Sequence, residues 1–116
     1  MGDPVTSEQA EKVLVEWFLR VGVAGLVLPS GWFGRPYDDQ FRLTGSAALG
    51  ERLVVCLDDN ALLAVLRPGE VVEENERLVI RGFDQVVWAF SEYGSRRSHV
   101  QVFDRGAIEL VGPRVT

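Results

Sequence analysis

Ala10, Val13, Leu14, Trp17, Phe18 and Val21 recur at three- and four-residue spacing, the period that lines side chains along one side of an α-helix. Gln9, Lys12, Glu16, Leu19 and Arg20 fall mostly on the other faces. Thr6 stands just ahead of the pattern and Gln9 follows three residues later, which is the spacing of a capping box. Glu8 and Glu11 sit near the positive end of the helix dipole, where negative charge is favourable. Gly22 can take the left-handed conformation that stops a helix. The spacing predicts an amphipathic helix over residues 7–20, with residues 1–5 as a short mobile tail.

Behind Gly22 the period changes. Residues 23–28 are short, apolar and β-branched, and Pro29 closes them, so a strand is expected. Residues 30–36 carry Gly31, Gly34 and Pro36 and read as a loop. Phe41 and Leu43 alternate with Gln40, Arg42 and Thr44, as in a half-buried strand. Residues 44–50 are small and read as a loop or a turn of helix. Residues 52–57 and 61–66 are apolar runs joined by Asp58-Asp59-Asn60, residues that tolerate tight hairpin geometry. Both faces of these two strands are apolar, so both are expected to be covered, one of them by the helix. Pro68-Gly69 ends the hairpin.

Val71 and Val72 precede the acidic turn of residues 73–76, and Leu78 and Ile80 alternate behind it. Val86, Trp88 and Phe90 alternate as in a strand. Phe83, Val87 and Phe90 also fit helical spacing, but the β-branched and aromatic content favours a strand. Val100 and Val102, the turn Asp104-Arg105-Gly106, and Ile108 and Leu110 form the pattern of a C-terminal hairpin. Turns recur with no helical segments between the strands, which points to antiparallel pairing. The expected fold is a single α+β domain over residues 1–116. In it the N-terminal helix packs on a curved, mostly antiparallel sheet or partly closed barrel.

Composition narrows the function classes. With 47% hydrophobic and 25% charged residues the chain can build a core, so disorder is excluded. A net charge of −5 repels phosphate backbones and disfavours nucleic acid as a partner. Cys56 is the only cysteine, so no internal disulfide or Cys-rich zinc site can form. No apolar run reaches the ~18 residues of a membrane-spanning helix. No basic leader precedes the first helix either, and a cytoplasmic location is expected.

The segment Gly31-Trp32-Phe33-Gly34-Arg35-Pro36-Tyr37-Asp38 packs aromatics, glycines and an arginine into a loop. Those residue types dominate binding hot spots. Trp32, Phe33, Arg35, Tyr37 and Asp38 are therefore the candidate binding residues, with Arg35 offering a planar fork to a carboxylate and Asp38 or Asp39 orienting it. The structural alternative is that Trp32 and Phe33 plug the open end of the sheet while Arg35 pairs with Asp38. This segment resembles one carried by short uncharacterised bacterial proteins, as does the stretch from Trp88 to Gly94 with its aromatic-Ser-Glu-Tyr-Gly ending. The resemblance implies a bacterial origin. It brings no activity, so no functional residue carries over.

Other candidates are better explained by structure. Glu70, Glu73, Glu74 and Glu76 lack the alternating ligands and glycine bend of a calcium loop and read as a solvated turn. Asp58 and Asp59 are turn residues, and adjacent carboxylates on a strand would face opposite ways. His99 is the sole histidine, with Arg96, Arg97 and Ser98 beside it and no nucleophile elbow in the chain. Cys56 lies in an apolar strand, where a thiol usually packs inertly. Arg96 and Arg97 read as a solvated hairpin tip. No catalytic, cofactor or metal residue is assigned.

Three functions follow in order. The first is a non-enzymatic acidic module that binds a basic protein partner, of the bacterial immunity or antitoxin kind. The second is a small-molecule binder lining a concave sheet face with Trp32, Tyr37, Trp88 and Tyr93. The third is an enzyme using His99, Asp38, Glu92 or Tyr93, which must then converge in one cleft. Beneath all three stands a homo-oligomer paired through open sheet edges.

Overall fold

The computed structural model describes residues 5–33, 40–58, 60–91 and 98–112. Helix α1 spans Ser7–Val21. The Thr6 hydroxyl accepts from the Gln9 amide at 3.1 Å, and the Gln9 side chain accepts from the Thr6 amide at 2.9 Å, so the capping box forms as its spacing predicts. Gly22, at φ +81°, closes the helix by donating its N–H to the Phe18 carbonyl. Ala10, Leu14, Trp17 and Phe18 are buried. Val5, expected in a mobile tail, instead forms an antiparallel bridge with Gly69.

Ten strands follow: β1 Gly25–Leu28, β2 Gly31–Phe33, β3 Leu43–Leu49, β4 Arg52–Leu57, β5 Ala61–Leu66, β6 Glu70–Glu74, β7 Arg77–Arg81, β8 Gln85–Ser91, β9 Ser98–Phe103 and β10 Ala107–Val111. They form two antiparallel five-stranded sheets rather than the one curved sheet expected. Sheet I has the order β2-β1-β10-β7-β6 and sheet II the order β3-β4-β5-β8-β9. The helix-or-strand ambiguity of the Phe83–Phe90 region resolves as β8, whose seven residues alternate between the two faces of sheet II.

Three expectations of local structure fail for tertiary reasons. Gly31–Phe33, read as part of a loop, form strand β2 and pair with β1. Residues 44–50, read as a loop, are nearly all strand β3, which pairs with β4 after a bulge between Leu43 and Gly45. Their small side chains serve packing: Ser46 lies opposite Val55 and donates its hydroxyl to Glu11 of α1 at 2.8 Å, so the helix can sit close. The C-terminal hairpin does not form either. β9 pairs with β8 in sheet II, while β10 inserts between β1 and β7 in sheet I. The turn at Asp104-Arg105-Gly106 thus carries the chain from one sheet to the other.

Alternation drives the layering. Leu26, Leu28, Leu78, Ile80, Ile108 and Leu110 of sheet I meet Leu53, Val55, Leu57, Leu63, Val65, Val86 and Trp88 of sheet II in one core. Full burial of each such side chain is worth about 1.5–3 kcal/mol. Helix α1 closes the side of this sandwich beside β3 and β4, and Arg20 reaches Glu73 of β6 at 2.7 Å. The links β5–β6 and β7–β8 cross between the sheets side by side. Asp84 donates its amide to the Leu66 carbonyl at 3.0 Å, and Arg67 binds both Glu51 and Asp84 at 2.8 Å. Gly69 has φ +73°, and a Cβ there would run into the Gly82 carbonyl, so the crossing requires glycine.

Candidate functional site

A strand that buries one face must present its alternate residues on the other. In sheet II the cross-strand register puts Gly45, Cys56, Leu62, Ala89 and Val100 in one outward row. Ala47, Val54, Ala64, Val87 and Val102 make the next. All ten are apolar or nearly so, and neither row contains a charged side chain. A third row, Leu49, Arg52, Leu66 and Gln85, brings the first polar heads at one end. The eight positions on β3, β4, β5 and β8 in the two apolar rows are half-buried, shielded by one another. On edge strand β9, Val100 is 62% and Val102 is 56% exposed, and Leu49 on β3 is 63% exposed.

The sequence reading expected both faces of β4 and β5 to be covered. Helix α1 and sheet I, however, both lie on the inner side, where Leu53, Val55 and Leu63 are buried. Among the described residues nothing lies over the outer rows. Their signal was present in the unbroken apolar runs 52–57 and 61–66. It was misassigned because period-2 patterning shows that a face is apolar but not what it meets.

The aromatic segment singled out in the sequence splits. Trp32 and Phe33 lie on β2, and alternation sends them to opposite faces of sheet I. Phe33 joins an aromatic cluster in the core: its ring centroid lies 6.2 Å from Phe41, 5.2 Å from Trp88 and 4.6 Å from Phe90. Phe33 is thus a plug, as the structural alternative has it. Trp32 faces outward, 55% exposed, with its ring in the space above Gly25. Arg35, Tyr37 and Asp38 lie outside the described residues, as do Asp59, Glu92, Tyr93, Arg96 and Arg97. The proposed small-molecule lining does not gather around Trp88, which is fully buried within the sandwich.

Two of the four glutamates in the acidic cluster, Glu70 and Glu73, bind arginines. Arg81 binds Glu70 through two hydrogen bonds, at 2.9 and 3.1 Å. These hydrogen bonds hold the Glu70 carboxyl below the usual glutamate range, and the Arg20 hydrogen bond does the same for Glu73. Arg77 approaches Glu109 at 3.5 Å. His99 stacks on Phe90 with centroids 5.2 Å apart, on the exposed edge strand β9. Cys56 is half-buried in an outer row of sheet II rather than in the core. Asp58 accepts the Arg42 amide at 3.1 Å as a turn residue does. Among the described residues no group of three or more His, Cys, Asp or Glu gathers in metal-binding proximity. A cleft of about 410 Å³ opens at the start of α1, beside Thr6, Ser7, Glu8 and Glu51. Its one lining cation, Arg67, is committed to Glu51 and Asp84.

No helix among the described residues is long and apolar enough to cross a membrane. Comparison with protein-family models, with curated proteins and with solved structures finds no match for this chain.

Proposed function

We propose that this protein is a non-enzymatic binding module that docks onto protein through the outer face of sheet II. The observation that supports it is the pair of adjoining five-residue rows with no charge in either. Soluble monomers rarely expose contiguous apolar patches beyond a few hundred Å² unless the patch contacts something. The face is also built on hydrogen-bonded strands, so docking would order little new structure. Capture by charge has less support. Glu51, Glu70, Glu73, Asp84 and Glu109 already pair with arginines, which leaves the net charge of −5 as the sole support for a basic partner or an immunity role.

Three immobilised proteins test the docking function in extract of the producing cell: wild type, Ala64→Lys at the centre of the outer face, and Val72→Lys on sheet I. The expected result is a bound protein, the chain's own copy included, that Ala64→Lys loses and Val72→Lys keeps. Equal recovery by all three would overturn the proposal.

A further inference from the structure

Resting on that docking function, we infer that the occupant of the sheet II outer face is a second copy of the same chain, packed face to face about a two-fold axis that runs along β5. Three observations converge on a copy rather than a charged partner.

The first is size. At about 4.8 Å between strands and about 6.8 Å between outward rows, the two apolar rows cover roughly 330 Å², and the four-residue third row brings the footprint to about 450 Å². Two copies therefore bury about 900 Å², the size of a weak, transient interface. The second is charge. Each chain carries −5, so two copies repel unless their contact surfaces are neutral. The two apolar rows are neutral, and charge enters only at their ends, with Arg52 in the third row and Asp58 two residues beyond Cys56.

The third is shape. The face is graded across its width. Edge strand β3 presents Gly45 and Ala47, whereas edge strand β9 presents Val100 and Val102. An isologous contact brings each patch against its own rotated image. A two-fold axis along β5 lays β9 of one copy over β3 of the other. Val100 then meets Gly45 and Val102 meets Ala47, large against small in both rows. Val54 meets Val87, and Leu62 and Ala64 each meet their own counterparts on the axis. Sheets stacked in this way keep their strands within about 30° of one another, the aligned packing of β-sandwiches.

Sedimentation equilibrium across micromolar to millimolar concentrations tests this. The wild-type mass is expected to rise from 12.9 kDa toward twice that value. Ala64→Lys sets two ammonium groups together on the axis and should hold the mass at that of one chain. Val102→Lys, at an edge position 56% exposed, should weaken association about tenfold or more. Val72→Lys should leave it unchanged. A wild-type mass that stays at one chain throughout would overturn the second copy. The docking function would then still stand if the Ala64-dependent capture above persists, and fall with it if that capture is absent. A doubling untouched by both sheet II variants would also overturn the inference, placing the contact at a sheet edge instead.

Discussion

The ring of Trp32 fills the space that a side chain at Gly25 would need: a Cβ built there runs into Trp32 Cη2. The two residues sit on paired strands, with Val27 directly opposite Trp32 and Gly25 on the diagonal. Glycine at position 25 thus makes the seat for the most exposed tryptophan. Trp17 and Trp88 are fully buried. Acrylamide should therefore quench one accessible tryptophan component, and Trp32→Phe should abolish it. Gly25→Ala should lift the ring and raise the quenching constant. Equal quenching in all three proteins would refute the seat.

Neighbouring leucines on β5 should behave differently. Leu63 is fully buried between the sheets, whereas Leu62 faces outward and is half-buried. Leu63→Ala is expected to cost about 2–5 kcal/mol in urea unfolding, through lost transfer energy and a residual cavity. Leu62→Ala leaves no enclosed cavity and should cost under about 1.5 kcal/mol at concentrations where chains are separate. Similar costs at both positions would contradict the assigned faces.

The β6–β7 turn carries stored strain. Its central residues, Asn75 and Glu76, have φ +47° and +67°, the signs a two-residue type I′ hairpin demands. Asparagine tolerates this region but glutamate does not, at a cost of roughly 1–2 kcal/mol. Glu76→Gly restores the Asn-Gly pair that such turns prefer and should raise the unfolding free energy by about 1 kcal/mol. A thermal midpoint unchanged or lowered would count against the turn geometry.

Acid should loosen the fold in part through Glu70 and Glu73. Arginine partners lower both carboxyl pKa values below the ordinary 4.5. A lowered native pKa means stability that is present above the unfolded value and lost as pH falls through the native one. Urea midpoints should therefore decline as pH drops below about 4.5. The double variant Glu70→Gln, Glu73→Gln should show a shallower decline from a slightly lower neutral-pH midpoint, because exposed pairs contribute little individually. Parallel pH profiles would remove these pairs from the acid response.

Much of the local structure was legible. Thr6 and Gln9 announce the start of α1, Gly22 its end, and alternation at Leu78–Ile80 marks a strand by a purely local signal, whereas Val86–Phe90 also fits helical spacing and its pairing with β5 and β9 decides it. Residues 44–50 were not legible as a strand, because beyond Thr44 the run Gly45-Ser46-Ala47-Ala48 has no β preference of its own. They are held by β4 on one side and serve the helix above. The Asp104-Arg105-Gly106 turn was misread because hairpins and inter-sheet crossings use the same turn residues. Of the candidate site, Trp32 lies exposed on sheet I, whereas Phe33 beside it is partly buried against the core, a split that the sequence did not show. The outer face of sheet II was visible only as apolar excess.

The order of hydrophobic and polar residues by itself determined one helix followed by strands, their approximate bounds and their caps, since those depend on neighbours within a few positions. Which strands pair, that ten of them divide into two sheets, and that one apolar face is left bare were decided only in three dimensions. Burial is a competition among all apolar surfaces of the chain: β10 is drawn between β1 and β7, α1 settles on the inner side, and among the described residues no element covers the rows running from Gly45 to Val100 and from Ala47 to Val102.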